Sequence, residues 1–208
     1  ARAYLVQAVA GDTVFILPEH LQPYTRLEMT QRVLEEAQAV LFIDPASGMA
    51  RGKDPDYHAL ATFLVDVTAK TPRIFLCDDY QFRCTTRQLV QYVEWLNGQW
   101  KFNYILCEAQ GLTSVHEWLM EVKGLPQIIP IPVGNIGKGL RLQAVTPLLQ
   151  PPEDEPPTVL MHPSLVDVEQ PPFYMNMPDG TPAAAVRALR HQLLNFPTKH
   201  DDCLDAFT

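Results

Sequence analysis

Apolar residues in this chain gather in short unbroken runs, each ending at a turn signal. Ala39-Val40-Leu41-Phe42-Ile43 ends at Asp44-Pro45 and reads as a buried central strand. Ser47 to Asp54 holds two glycines and reads as a turn, after which His58 to Val67 returns as a second strand. Arg73 to Cys77 is a third, and connections this short pair all three strands antiparallel. Leu89, Val90, Val93 and Leu96 recur at helical spacing, so Thr85 to Trp95 reads as an amphipathic helix, capped by Thr85 or Thr86 and ended by Asn97-Gly98. Tyr104 to Cys107 is a further buried strand ending at Glu108.

The later pattern alternates. Ser114 to Val122 reads as a helix stopped by Gly124, and Ile128 to Val133 as an edge strand because it carries two prolines. Lys138 to Leu149 is helical, Val159 to Met161 a short strand, Pro171 to Gly180 irregular, and Ala183 to Leu194 a helix. A last helix begins at Asp201 and runs to Phe207. Before residue 39 the pattern is faint: short strands from Leu5 to Ile16, a loop marked by Pro18 and Pro23, and a helix from Leu27 to Ala37. Residues 1–38 therefore read as a lead-in from an upstream region and 39–208 as one α/β domain, a mixed sheet with helices on its faces. The chain opens on Ala1 and its last helix stops mid-pattern, as expected of a piece of a longer protein.

Composition narrows the function classes. The apolar fraction of 47% suits a globular core, and no apolar run is long enough to span a bilayer, so no membrane partner is expected. Cys77, Cys84, Cys107 and Cys203 lack CxxC spacing, which argues against a zinc site; Cys77 and Cys107 fall in strand-like runs and read as buried free thiols. A net charge of −8 does not suit a general nucleic-acid binder, since phosphate contacts need Lys and Arg. It does suit a site that concentrates carboxylates around a cation, which inverts the local field.

Asp44 and Glu108 share one setting: each ends an apolar strand and is followed by a turn. Carboxylates are seldom buried without a partner, and neighbouring ones resist joint ionisation unless a cation neutralises them. Taken singly, each is better read as a turn cap. The segment Lys199-His200-Asp201-Asp202-Cys203-Leu204-Asp205 changes the balance, with three acids in five residues. Asp201 and Asp205 stand at i,i+4 and Asp202 and Asp205 at i,i+3, so either pair projects from one helix face. One acid would satisfy a helix dipole; three need more explanation. Hard divalent cations take carboxylate oxygens, and two of them about 3.5–4 Å apart activate water and stabilise a leaving oxygen. The absence of GxxxxGK[ST] excludes P-loop ATP hydrolysis by this chain.

The set Leu41-Phe42-Ile43-Asp44-Pro45-Ala46 with Gly52-Lys53-Asp54, then Tyr104-Ile105-Leu106-Cys107-Glu108-Ala109-Gln110-Gly111, then Phe196-Pro197 and His200-Asp201-Asp202-Cys203-Leu204-Asp205-Ala206, resembles the C-terminal nuclease domain of tailed-bacteriophage large terminase subunits. Lys138-Gly139-Leu140-Arg141 resembles that family's basic stretch after the fifth strand. The resemblance implies a ribonuclease H-like fold and a magnesium- or manganese-dependent endonuclease, with two ions, cutting concatemeric viral DNA during genome packaging. It implies that Asp44, Glu108 and one acid of the Asp201-Asp202 pair hold the metals, with Asp202 favoured and Asp201 its neighbour. Asp205 and His200 are auxiliary candidates, and Lys53, Lys138 and Arg141 are candidate DNA contacts. The implied partners are double-stranded DNA and, in a full protein, an N-terminal ATPase domain, a small terminase subunit and a portal. The isolated domain is expected to be a monomer, acting in the host cytoplasm during virion assembly.

Two rival readings stand beside this one: a Holliday-junction resolvase-like nuclease, permitted by Asp202-Cys203-Leu204-Asp205-Ala206, and a catalytically silent docking module for portal or motor. Asp78-Asp79 reads as the turn ending the third strand, and Trp95, Trp100 and Trp118 as core packing rather than base-stacking residues.

Overall fold

The computed structural model describes residues 16–46, 57–68, 70–109, 115–132, 137–150, 156–166, 170–196 and 202–207. A single turn at Pro18–His20 precedes α1 (Gln31–Glu36), which Thr30 caps by accepting the Val33 amide. The chain then forms β1 (Gln38–Asp44), β2 (His58–Asp66), β3 (Arg73–Phe82), α2 (Thr86–Trp100), β4 (Tyr104–Ala109), α3 (Val115–Glu121), β5 (Gln127–Pro132) and α4 (Lys138–Leu149). It closes with β6 (Val159–Met161), α5 (Pro163–Val166), β7 (Phe173–Asn176), β8 (Pro182–Val186), α6 (Leu189–Leu194) and α7 (Asp202–Phe207).

All eight strands join one sheet in the order β5-β4-β1-β2-β3-β8-β7, with β6 on the first half of β3. β2 runs antiparallel to β1 and β3, while β4 and β5 run parallel to β1. This is a mixed sheet flanked by helices, consistent with the expected ribonuclease H-like fold. The proline-bearing β5 lies at the sheet edge as expected.

Alternation along each strand sends side chains to two faces. One core holds Leu41, Ile43, Leu60, Phe75 and Ile105 under α2 and α3, which contribute Leu89, Val93, Val115 and Leu119. The other holds Ala59, Ala61 and Leu76 under α4, α6 and α7, which contribute Leu142, Leu149, Leu189, Leu193, Cys203 and Ala206.

Several elements differ from the pattern-based expectation. The helix expected over Leu27 to Ala37 spans only α1, because Glu28 folds back to accept the Thr25 amide in a turn. The third strand runs five residues past Cys77, through Asp78 and Asp79, as β3 pairs with β2 along its length across one register shift. Helix α2 continues through Asn97-Gly98 and stops at Lys101, which takes the left-handed conformation at φ 53°. The irregular and helical segments expected between Pro171 and Leu194 are instead a β7–β8 hairpin followed by the short α6. Gly180 turns the hairpin at φ 83°, and β8 docks on the end of β3 through Gln81 and Phe82. Trp100 packs on the core, but Trp95 and Trp118 are half exposed. Cys107 and Cys203 are buried and Cys77 only partly so, and all four cysteines are free thiols.

Candidate active site

Two parallel strands bring the first acids together. β1 and β4 pair with Ile43 beside Cys107, so the next residues, Asp44 and Glu108, leave the sheet side by side. Ile43 and Cys107 fill the α2–α3 core, and alternation turns Asp44 and Glu108 to the opposite face, where α7 lies. Helix α7 packs across β1, β2, β3 and α6, and fixes itself through Cys203 and Ala206 in the second core. That orientation turns Asp202 and Asp205 inward with them. All four carboxylates are nearly buried, at 5%, 6%, 9% and 8% exposure for Asp44, Glu108, Asp202 and Asp205.

The electrostatic consequence falls on Asp44. Burial pushes its carboxyl well above the ordinary carboxylate range, and the charges of Glu108, Asp205 and Asp202 and a hydrogen bond with Glu108 push it further. The hydrogen bond between the two carboxyls draws Asp44 and Glu108 together in this crowded setting. Helix α4 supplies positive charge at the rim. Lys138 Nζ lies 2.5 Å from Asp205 Oδ2, and Arg141 Nη2 lies 2.6 Å from Asp205 Oδ1. The other guanidinium nitrogen, Nη1, faces Glu108 Oε1 at 3.7 Å.

Asp44, Glu108, Asp202, Asp205, Lys138 and Arg141 thus meet in one place from four elements. Asp201, His200 and Lys53 lie outside the described residues. Among the described residues, no three His, Cys, Asp or Glu side chains are set so as to grip one metal ion. The donor set is nevertheless all hard oxygen, crowded and short of positive charge, which fits a magnesium- or manganese-sized cation better than any softer metal.

No family model and no curated protein matches this chain. Solved structures do align. The crystal structure of the large terminase nuclease from thermophilic phage G20c is similar at 15% identity and a TM-score of 0.47, over 93% of this chain and 94% of that one. At that identity and score the similarity assigns no activity and no residue role to the present chain.

Two residues near this end of the sheet carried no signature in the sequence. His58, 4% exposed at the start of β2, accepts the Ala46 amide at Nδ1 (2.9 Å) and stands 3.1 Å from the Cys84 carbonyl through Nε2. Since Nδ1 accepts, Nε2 is the protonated nitrogen and donates to Cys84. The ring therefore ties the segment after Asp44 to the segment after β3. A lone His opening an apolar strand gives no hint of either contact. The second residue is Asp79, fully buried beneath α7, whose carboxyl faces the Cys203 thiol. Burial raises its pKa well above the ordinary range, the Asp78 charge raises it further, and the thiol and Arg187 offset part of the rise.

The thiols themselves are poor nucleophiles. Burial and the nearby charges of Asp44 and Glu108 push Cys107 up to about 12, burial pushes Cys84 up to about 12, and burial with the Asp79 contact raises Cys203 well above its usual value.

Proposed function

We propose that this cleft is the active site of a divalent-metal-dependent endonuclease that hydrolyses phosphodiester bonds in double-stranded DNA. One observation carries the reading: Asp44 and Glu108, on adjacent parallel strands, are buried so closely that they share a hydrogen bond, with Asp202 and Asp205 adding to the crowding from α7. Four carboxylates met by the cations of Lys138 and Arg141 leave the cleft short of positive charge, a deficit that a divalent cation would fill.

Asp44, Glu108 and Asp202 would hold magnesium or manganese, with Asp201 as the neighbouring alternative and two ions as the expected complement. When bound, such ions supply Lewis acidity and an activated water. The chain's own residues do the rest. Asp44 and Glu108 lie on β1 and β4 in the centre of the sheet, so their spacing is set by the parallel ladder and not by a loop. His58 fixes the backbone just beyond Asp44. Lys138 and Arg141 lie where a phosphate approaching Glu108 and Asp205 would meet positive charge. The overall charge of −8 opposes DNA elsewhere on the surface, so productive contact concentrates at this basic rim.

The narrower role, cutting viral DNA concatemers during genome packaging alongside an ATPase motor, a small subunit and a portal, rests on the motif resemblance in the sequence. Plasmid cleavage tests the enzymatic claim. The parent chain should nick and linearise supercoiled DNA with manganese or magnesium and stay inert in EDTA, and Asp44→Ala should be inert throughout. Equal cleavage by Asp44→Ala and the parent would reject the site.

A further inference from the structure

We infer that Asp205 is a positioning residue: it seats Lys138 and Arg141 beside the Asp44–Glu108 pair as contacts for the substrate phosphate, and is not itself a metal ligand. This rests on the nuclease reading of the cleft and deepens it.

The two oxygens of Asp205 are engaged by two different cations, Oδ2 by Lys138 at 2.5 Å and Oδ1 by Arg141 at 2.6 Å. Lys138 and Arg141 are three residues apart on α4, so one helix face delivers both to one carboxylate. Both cations converge on this one carboxylate, while Glu108 flanks the guanidinium and Asp44 and Asp202 lie beyond it. The guanidinium spans the gap, with Nη2 on Asp205 and Nη1 3.7 Å from Glu108. Arg141 thereby marks the boundary between the acidic and basic halves of the cleft.

Exposure separates the roles. The Asp205 side chain is 12% exposed, whereas those of Lys138 and Arg141 are 41% and 25% exposed. A phosphate arriving from solvent reaches the cations and not the carboxylate that holds them. Long basic side chains left free would sample many rotamers, and fixing them costs conformational entropy at the moment of binding. Anchored on a buried carboxylate, they meet the phosphate already aimed, and misplacement of such a group slows the chemical step.

The test uses the chain as it stands, with three variants: Asp205→Asn, the pair Lys138→Ala with Arg141→Ala, and all three together. Manganese binding is read by calorimetry, DNA binding in EDTA as a function of salt, and kcat and KM on plasmid DNA. Asp205→Asn should keep the parent's manganese affinity while KM rises and kcat falls about a hundredfold. The double variant should flatten the dependence of log affinity on log salt by about two, one for each lost phosphate contact. Adding Asp205→Asn to the double variant should lower kcat no further, because the carboxylate acts through the cations it holds.

Loss of manganese binding in Asp205→Asn, or a full additional loss of kcat in the triple variant, would overturn the inference. If Asp205→Asn does not fold, the double variant still decides: an unchanged salt dependence overturns the phosphate role. A parent chain that binds neither manganese nor DNA would reject the nuclease reading itself, an outcome separate from either of these.

Discussion

Replacing Asp79 with Asn should make the protein more stable at neutral pH, and the gain should grow with pH. Asp79 is 0% exposed, and neither carboxyl oxygen has a nitrogen or oxygen hydrogen-bond partner among the described residues. Only the Cys203 thiol, a weak donor, faces it. An ionised carboxylate there would be prohibitively costly, so the folded chain keeps the proton. The unfolded chain releases it above about pH 3.9. The folded pKa is the higher one, so stability from this group is complete below the unfolded value and is lost as pH rises toward the folded value. The loss is about 1.4 kcal/mol for each pH unit between the two values, so the gap between variant and parent should widen steadily from pH 4 to pH 7. Asn has the same shape and a polar amide but no proton to release. Urea denaturation of parent and variant at pH 4, 5.5 and 7 measures the difference directly, and taking the difference cancels contributions from Asp44 and other shared groups. A variant no more stable than the parent, with a gap that does not change with pH, would mean that Asp79 is ionised and compensated in the fold.

Two other perturbations follow from the same geometry. His58→Ala should cost about 1–3 kcal/mol, since it strips the Ala46 amide and the Cys84 carbonyl of a buried partner; thermal denaturation measures the loss, and faster hydrogen exchange at the Ala46 amide localises it. Asp66 is held well below the usual carboxylate range by hydrogen bonds from Arg32 and Thr68, so its contribution is present above the unfolded value and disappears as pH falls toward the folded one. Asp66→Asn should therefore remove part of the parent's acid sensitivity, and denaturation curves from pH 5 down to pH 2 that stay parallel for the two proteins would contradict this.

The central strands were legible because both of their faces are covered. Ala39 to Ile43 and Tyr104 to Cys107 are unbroken apolar runs with an acid at the end, and strand ends are where that acid lies. Helix α4 was equally plain, with the bounds expected. Long-range partners were not legible. Asp78-Asp79 resembles a turn locally, yet Asp78 accepts a two-pronged contact from Arg187, more than a hundred residues away, and Asp79 is buried under α7. Ala183 to Ala185 has helical propensity, but pairing with β3 and β7 overrides it, and Ala185 ends fully buried. At the cleft, the sequence grouped the acids but could not foresee that α4 would reach Asp205 with two cations, because spacing along the chain says nothing about which helix covers which strand end.

Manganese anomalous diffraction from soaked crystals shows whether the acidic cleft holds metal. Density is expected between Asp44, Glu108 and Asp202, with Lys138 and Arg141 at its rim and Asp205 still on the cations. An empty cleft under manganese concentrations that support DNA cleavage, or an ion bound elsewhere, would contradict this expectation.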